Sequence, residues 1–230
     1  MNTRNKFLLA LFTTTTCACV HADVERRDHS DFTGVDASSG IDVDIRIGDE
    51  FLVEVDSDEN LADIETEVRN GTLHIRVDSD AWDWGDWQGD HHVTIVMPVL
   101  AELEASGGTD IRVIGTVTGA ELEINASGGA DVEVDVAVDR LEIEVSGGAD
   151  VEVSGTANTA IARTSGGSDV DARDLTAIDA ELRASGGSDL AMSVSGTIDA
   201  RASGGADIDY YGDPDVLDED ESGSADITRH

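Results

Sequence analysis

The chain is poor in lysine, proline and aromatic rings. Lys6 is its one lysine, Pro98 and Pro214 are its two prolines, and Phe, Trp and Tyr make up 4% of 230 residues. Its two cysteines, Cys17 and Cys19, both lie in the first 22 residues. The rest of the chain has no disulfide to staple it, so packing and hydrogen bonding must hold the fold. These absences also exclude chemistry. Beyond residue 22 there is no cysteine nucleophile and no lysine base. No stretch reads as a Gly-x-Ser-x-Gly elbow, a His-Glu-x-x-His helix or a phosphate-cradling glycine loop. Cations are scarce: 14 Lys and Arg face 50 Asp and Glu, a formal net charge of −36. Such a chain repels nucleic acid and anionic lipid and attracts cations. The plainer reading of the charge is solubility in a salty environment, since the acids are spread over the whole sequence. Helical periodicity is missing, and no apolar run approaches the length of a membrane span.

The N-terminus reads as an export signal over residues 1–22. Arg4 and Lys6 form a basic start and Phe7 to Phe12 a short apolar stretch. Val20-His21-Ala22 offers small residues where signal peptidase reads, so cleavage after Ala22 is expected. The competing reading is a lipoprotein signal, with Cys17 or Cys19 lipidated. Losing Arg4 and Lys6 takes the net charge from −36 to −38. The expected destination is the periplasm, the outer cell surface or the medium.

What the chain has in abundance is one phrase. It reads Ser106-Gly-Gly-Thr-Asp110, Ser127-Gly-Gly-Ala-Asp131, Ser146-Gly-Gly-Ala-Asp150, Ser165-Gly-Gly-Ser-Asp169, Ser185-Gly-Gly-Ser-Asp189, Ser203-Gly-Gly-Ala-Asp207 and, in decayed form, Ser222-Gly-Ser-Ala-Asp226. Recurrence at 18–21 residues is the mark of a solenoid. Alternating apolar residues flank each copy, as in Ile143-Glu-Val145 before it and Val151-Glu-Val153 after it. Period-two alternation means strands with one buried face. The fold expected is all-β: a single-domain parallel β-helix or β-solenoid with rungs of about 19 residues and Ser-Gly-Gly-x-Asp corners. The paired glycines suit positive φ at the bend, and the Ser and Asp side chains suit capping of nearby amides.

The expected organisation is a signal at 1–22, a linker at 23–28, a β-solenoid domain at 29–212 and an acidic tail or cap at 213–230. Within the domain, 29–100 is β but not repetitive and 101–212 carries the repeats. Phe32 to Asp42 looks like a first, imperfect corner. Ile64–Val68, the Asn70-Gly71 turn and Leu73–Val77 read as a hairpin. The tail reads as a weak cap or a disordered end, a polar terminus that stops end-to-end pairing.

Several of these stretches together resemble one family. They are Phe32-Thr-Gly-Val35, Ser39-Gly-Ile-Asp-Val43, Gly48-Asp-Glu50, Asp58-Glu-Asn-Leu61, Ile64-Glu-Thr-Glu-Val68, Asn70-Gly-Thr-Leu73, Met97-Pro-Val-Leu100 and the Ser-Gly-Gly-x-Asp corners. The chain resembles the bacterial head GIN domain family, the putative auto-transporter adhesins, over roughly residues 29 to 212. The resemblance implies a secreted or envelope-associated β-helix with no assigned catalytic residues. The heavy load of Asp and a Trp-rich insert depart from the family pattern, so a shared ligand does not follow.

Three features are candidates for function. In-register stacking would align Asp110, Asp131, Asp150, Asp169, Asp189 and Asp207 in a column. Neighbouring charges there would need solvation, amide hydrogen bonds or bridging cations, with Ca²⁺ the natural oxygen-liganded ion. Corner capping is the simpler role for the same aspartates. A second outward file runs Glu104, Asn125, Glu144, Arg163, Arg183, Arg201; it is either charge balance or a small anion-binding face. The insert Asp80 to His92 carries Trp82, Trp84 and Trp87, which either cap the open end of the stack or bind a glycan or protein partner. Asp86, Asp90, His91 and His92 could ligate a transition metal, although adjacent histidines rarely reach one ion. The expected function is a non-enzymatic adhesin or envelope scaffold acting on a cell-surface glycan or protein. The alternatives are a cation- or glycan-binding module and a carbohydrate-active β-helix enzyme.

Overall fold

The computed structural model describes residues 23–57, 61–77 and 91–230. Residues 1–22, where an export signal is expected, and Trp82, Trp84 and Trp87 lie outside the described residues, as do Asp86 and Asp90. The stack is built by five long strands: β9 (Asp110–Gly128), β10 (Asp131–Gly147), β11 (Asp150–Gly166), β12 (Asp169–Gly186) and β13 (Asp189–Gly204). Each runs from the aspartate of one corner to the first glycine of the next. Each pairs in parallel with its equivalent one rung away. This is the β-solenoid that the period and the alternation predict.

The alternation explains the packing. Leu103, Ile124, Ile143, Ala162, Leu182 and Ala200 occupy one file and are all fully buried. Their chain neighbours at every second position face water. Fully burying an aliphatic side chain of the Leu or Ile size stabilises by roughly 1.5–3 kcal/mol. One continuous core thus runs the length of the stack from Phe32 to Tyr210.

The N-terminal third joins the same sheet. Its strands are β1 (Asp23–Arg27), β2 (Gly34–Ser38), β3 (Asp42–Ile47), β4 (Leu52–Ser57), β5 (Ile64–Arg69), β6 (Thr72–Val77), β7 (His91–Met97) and β8 (Glu102–Ser106). One 3-10 turn, Leu61–Asp63, lies among them. Strands β2 and β3 flank the first corner and pair in parallel with β8 and β9. On the other side β6 and β7 pair with them in parallel too, and beyond β6 and β7 the direction reverses. β4 is antiparallel to β7, β1 to β4, and β5 to β6 across the Asn70-Gly71 turn. The first coil is therefore covered by antiparallel strands. Arg27 ties the two outermost ones together, donating to the Leu61 carbonyl at 2.8 Å and to Thr66 Oγ1 at 3.1 Å.

The C-terminal stretch is a full further rung. β14 (Asp207–Tyr211), β15 (Asp215–Gly223) and β16 (Asp226–Arg229) continue the ladder onto β13 and β14. The decayed phrase at Ser222 stacks in register with Ser203.

Candidate functional site

The corners stack as one file, and their construction differs from the side-chain capping that the sequence suggests. The ladder is closed by main chain. Gly148 N donates to Gly128 O at 2.8 Å, and Gly167 N to Gly147 O at 2.8 Å. Asp150 N donates to Ala130 O at 3.0 Å, and Asp207 N to Ser188 O at 3.0 Å. The amides that Ser or Asp would cap are thus spent between rungs. From the Ser127 corner onward only the first glycine has positive φ, as at Gly147 (84°) and Gly204 (85°). A Cβ on the first glycine of the Ser165 corner, Gly166, would stand 2.9 Å from Gly147 O. The second glycine has looser surroundings, which is why Ser224 can replace it in the last copy.

The variable position of the phrase is the inward one. Thr109, Ala130, Ala149, Ser168, Ser188 and Ala206 are fully buried. Its serine hydroxyls do the capping, Ser168 Oγ donating to Ser165 O at 3.0 Å and Ser188 Oγ to Ser185 O at 3.1 Å. The sequence carried this signal in the restriction of that position to Ala, Ser and Thr.

The six predicted aspartates do form a column. Asp110, Asp131, Asp150, Asp169, Asp189 and Asp207 are successive register partners, and Asp226 extends the file. All are exposed. Among the described residues none of these carboxylates takes a side-chain hydrogen bond or an ion pair. A second file two residues on holds Asp44, Arg112, Glu133, Glu152 and Asp171. It is partly neutralised, with Arg112 Nε on Glu133 Oε2 at 2.8 Å and Arg173 on Asp171. Between the files lies an open groove of ≈600 Å³. No group of three or more His, Cys, Asp or Glu among the described residues is close enough to hold one ion. The column is a linear polyanion, not a chelating cage.

The other outer face is balanced. Arg163, Arg183 and Arg201 stack in file, and acids two residues earlier in their own or adjacent rungs meet them. Arg163 reaches Glu142 at 2.7 Å and Glu144 at 3.2 Å. Arg183 reaches Asp199 at 3.0 Å, and Arg201 reaches Asp218 at 2.7 Å. Every guanidinium in this file is satisfied, which favours charge balance over an anion site.

The profile described as "Putative auto-transporter adhesin, head GIN domain" matches residues 31–214. The chain belongs to the head GIN domain family. Similar folds occur in solved structures. A "putative adhesin" from Bacteroides fragilis NCTC 9343 superposes with a TM-score of 0.84 at 22% identity, over 91% of this chain and 97% of that one. A "putative lipid binding protein" from Parabacteroides distasonis ATCC 8503 has a TM-score of 0.72 at 22% identity, over 90% and 96%. A "putative adhesin" from Parabacteroides merdae ATCC 43184 has a TM-score of 0.69 at 17% identity, over 90% and 95%. At these identities the likeness shows the fold alone. No curated protein sequence matches significantly. No helix among the described residues is long and apolar enough to cross a membrane.

Within the family fold, His91 and His92 do not converge on one point. His91 is buried, its Nδ1 2.9 Å from Ser57 Oγ, whereas His92 faces the groove 3.5 Å from Asp44. Strand alternation forces this divergence.

Two carboxyls in these files are pushed above their ordinary values. For Asp189 the cause is partial desolvation of an otherwise exposed carboxyl, then the neighbouring charges of Asp169, Asp207 and Asp209. For Glu104 it is burial, then Asp36, Glu102 and Glu123. Hydrogen bonds from Arg163 and Arg140 pull Glu142 down, and one from Arg173 pulls Asp171 down. The signs oppose each other. A raised carboxyl takes up its proton more readily folded than unfolded, so it favours the fold as pH drops through its value; a lowered one favours the fold only above the ordinary carboxylate range. The melting temperature should therefore rise on mild acidification and then fall once the pH drops through the ordinary carboxylate range and the arginine-paired carboxylates protonate. Asp189→Asn should flatten the rise. A melting temperature that only declines from pH 7 downward would contradict this assignment.

Proposed function

We propose that this protein is an exported, non-enzymatic adhesin or envelope scaffold that engages a repeating partner through its outer files. The observation that carries this reading is the registration itself. The same chemical group recurs on the surface every rung, about 4.8 Å apart, from Asp110 to Asp207. A periodic surface with open grooves suits a polymer or an extended surface better than one small substrate, which is held in a concave pocket. The family's adhesin designation supports the same direction. The test is binding of immobilised residues 23–230 to a panel of envelope and extracellular polysaccharides and to intact cells. Saturable binding to a polymer, lost in its monosaccharide, is expected. Absence of binding across the panel, or turnover of a uronic-acid polymer, would reject the proposal. The Trp82/Trp84/Trp87 triple alanine variant asks whether that insert contributes; if it is a binding loop, glycan affinity is lost.

A second reading rests on the unneutralised aspartate column. It gathers cations loosely along its length, with Ca²⁺ the ion best matched to oxygen ligands. Calorimetric titration with calcium is expected to give weak, multi-site binding that monovalent salt suppresses. A flat titration with an unchanged melting temperature would remove this reading and leave the first intact.

A further inference from the structure

The last rung turns charged residues inward. β15 lies parallel to β13, with Ala200 opposite Glu219 and Ala202 opposite Glu221. Paired residues of an in-register parallel ladder point to the same side, and Ala200 and Ala202 belong to the core. Glu219 and Glu221 therefore hold the positions that Leu182 and Ala184 fill two rungs earlier. Arg229 stands opposite the buried Tyr210, but its guanidinium turns to the Gly212 carbonyl and to Asp213 at the surface. The hydrogen bonds agree. Tyr210 donates its hydroxyl to Glu219 Oε1 at 2.8 Å, and the Ile227 amide donates to Glu221 Oε1 at 2.8 Å. Both glutamates thus reach across the open end of the rung. Asp218 and Asp220, between and before them, alternate outward, and Asp218 receives Arg201. The acidic run Asp218–Glu221 thus divides by direction: Asp218 lies outside on Arg201, while Glu219 and Glu221 lie on the core side of a strand that is still open to solvent along its length.

Without those inward charges the end would be an invitation. The outer edge of β15 offers unpaired amides and carbonyls, and Val216 and Leu217 are 45% and 68% exposed beside it. Open edges of this kind pair with other chains, and inward-pointing charges are one way proteins prevent it. We infer that Glu219 and Glu221 form a stop that fixes the length of the stack by preventing a second copy from docking on the C-terminal rung. Docking would shut two carboxylates between apolar layers, where burying an ion is far costlier than exposing it. The large net charge also holds copies apart, but salt screens that repulsion and does not remove the buried one.

Sedimentation velocity in about 0.5 M salt, where exposed charges are screened, separates the two effects. The wild-type chain is expected to stay monomeric. The E219L/E221A variant should form dimers or larger species. D218N/D220N removes the same number of charges from the outward side and should remain monomeric. A monomeric E219L/E221A with a native β spectrum would overturn the inference. So would equal association of D218N/D220N, or association of the wild-type chain. Should the double variant lose its β spectrum, E221A alone carries the same test.

Discussion

Alanine at Gly155 is expected to destabilise the fold by more than about 4 kcal/mol, while alanine at Gly115 should cost about 1–2 kcal/mol. The two glycines share a backbone conformation, with φ of 107° and 100°. They differ in what a side chain would meet. A Cβ on Gly155 would stand 2.0 Å from the carbonyl oxygen of Val136 and 3.0 Å from its amide nitrogen, whereas one on Gly115 would meet nothing within 4 Å. Gly155 lies opposite Val136 on one side and Leu175 on the other, where the β11–β12 register shifts. Its neighbour is backbone held in the rung ladder, so it cannot swing aside as a flexible side chain could. The difference between the two variants isolates the stacking contribution from the cost of a left-handed residue.

A solenoid makes that loss non-local. Each rung contacts only its neighbours, so stability is a sum of rung and interface contributions. Opening the β10–β11 interface would separate the N-terminal coils from β12, β13 and the last rung. Urea unfolding of Gly155→Ala should thus show a broadened or two-step transition, with Gly115→Ala retaining a single one. Equal midpoints for the two variants would mean that backbone conformation, and not rung contact, selects glycine there.

The sequence exposed the period because each rung repeats one bend and two strands, and stacking copies that pattern in every coil. The alternation around Ile143 and Val151 told which face is buried, and the Asn70-Gly71 turn told where a hairpin closes. What stayed hidden depends on partners far along the chain. The antiparallel cover of the first coil joins β1 to β4 and β4 to β7, pairings that no local pattern encodes. The Ser222 phrase reads as worn because its second glycine is missing, yet that position does not need positive φ in the later corners. The arginine file reads as a possible anion face until the register brings Glu142, Asp199 and Asp218 beside it. For the site, the column was legible because one residue type recurs at one position. Its freedom from hydrogen bonds was not, because that follows from the amides being consumed between rungs.

The column then predicts an increase in stability from removing its charge. Replacing Asp131, Asp169 and Asp207 with asparagine leaves no adjacent pair of aspartates between Asp110 and Asp226, since each of the six neighbouring pairs contains one of the three. Two like charges one rung apart repel by about 1 kcal/mol in water, so six pairs set a ceiling of about 6 kcal/mol. Solvent screening and side-chain freedom take roughly half of that. The triple variant should gain about 3 kcal/mol at low ionic strength, and the gain should vanish near 1 M salt, where the screening length of about 3 Å is shorter than the rung spacing. Denaturant titrations at the two salt concentrations, in chelator-treated buffer, measure it. Adding calcium should lift the wild-type chain toward the variant and leave the variant itself nearly unmoved, because cations binding only the folded column stabilise by mass action. If the triple variant proves no more stable than the wild type in dilute, calcium-free buffer, the aspartates are not repelling one another and no electrostatic reason remains for cations to gather on them. If it is more stable, the chain carries a costly line of charge that its fold does not require, and solubility alone would be served as well by the same acids scattered away from one file.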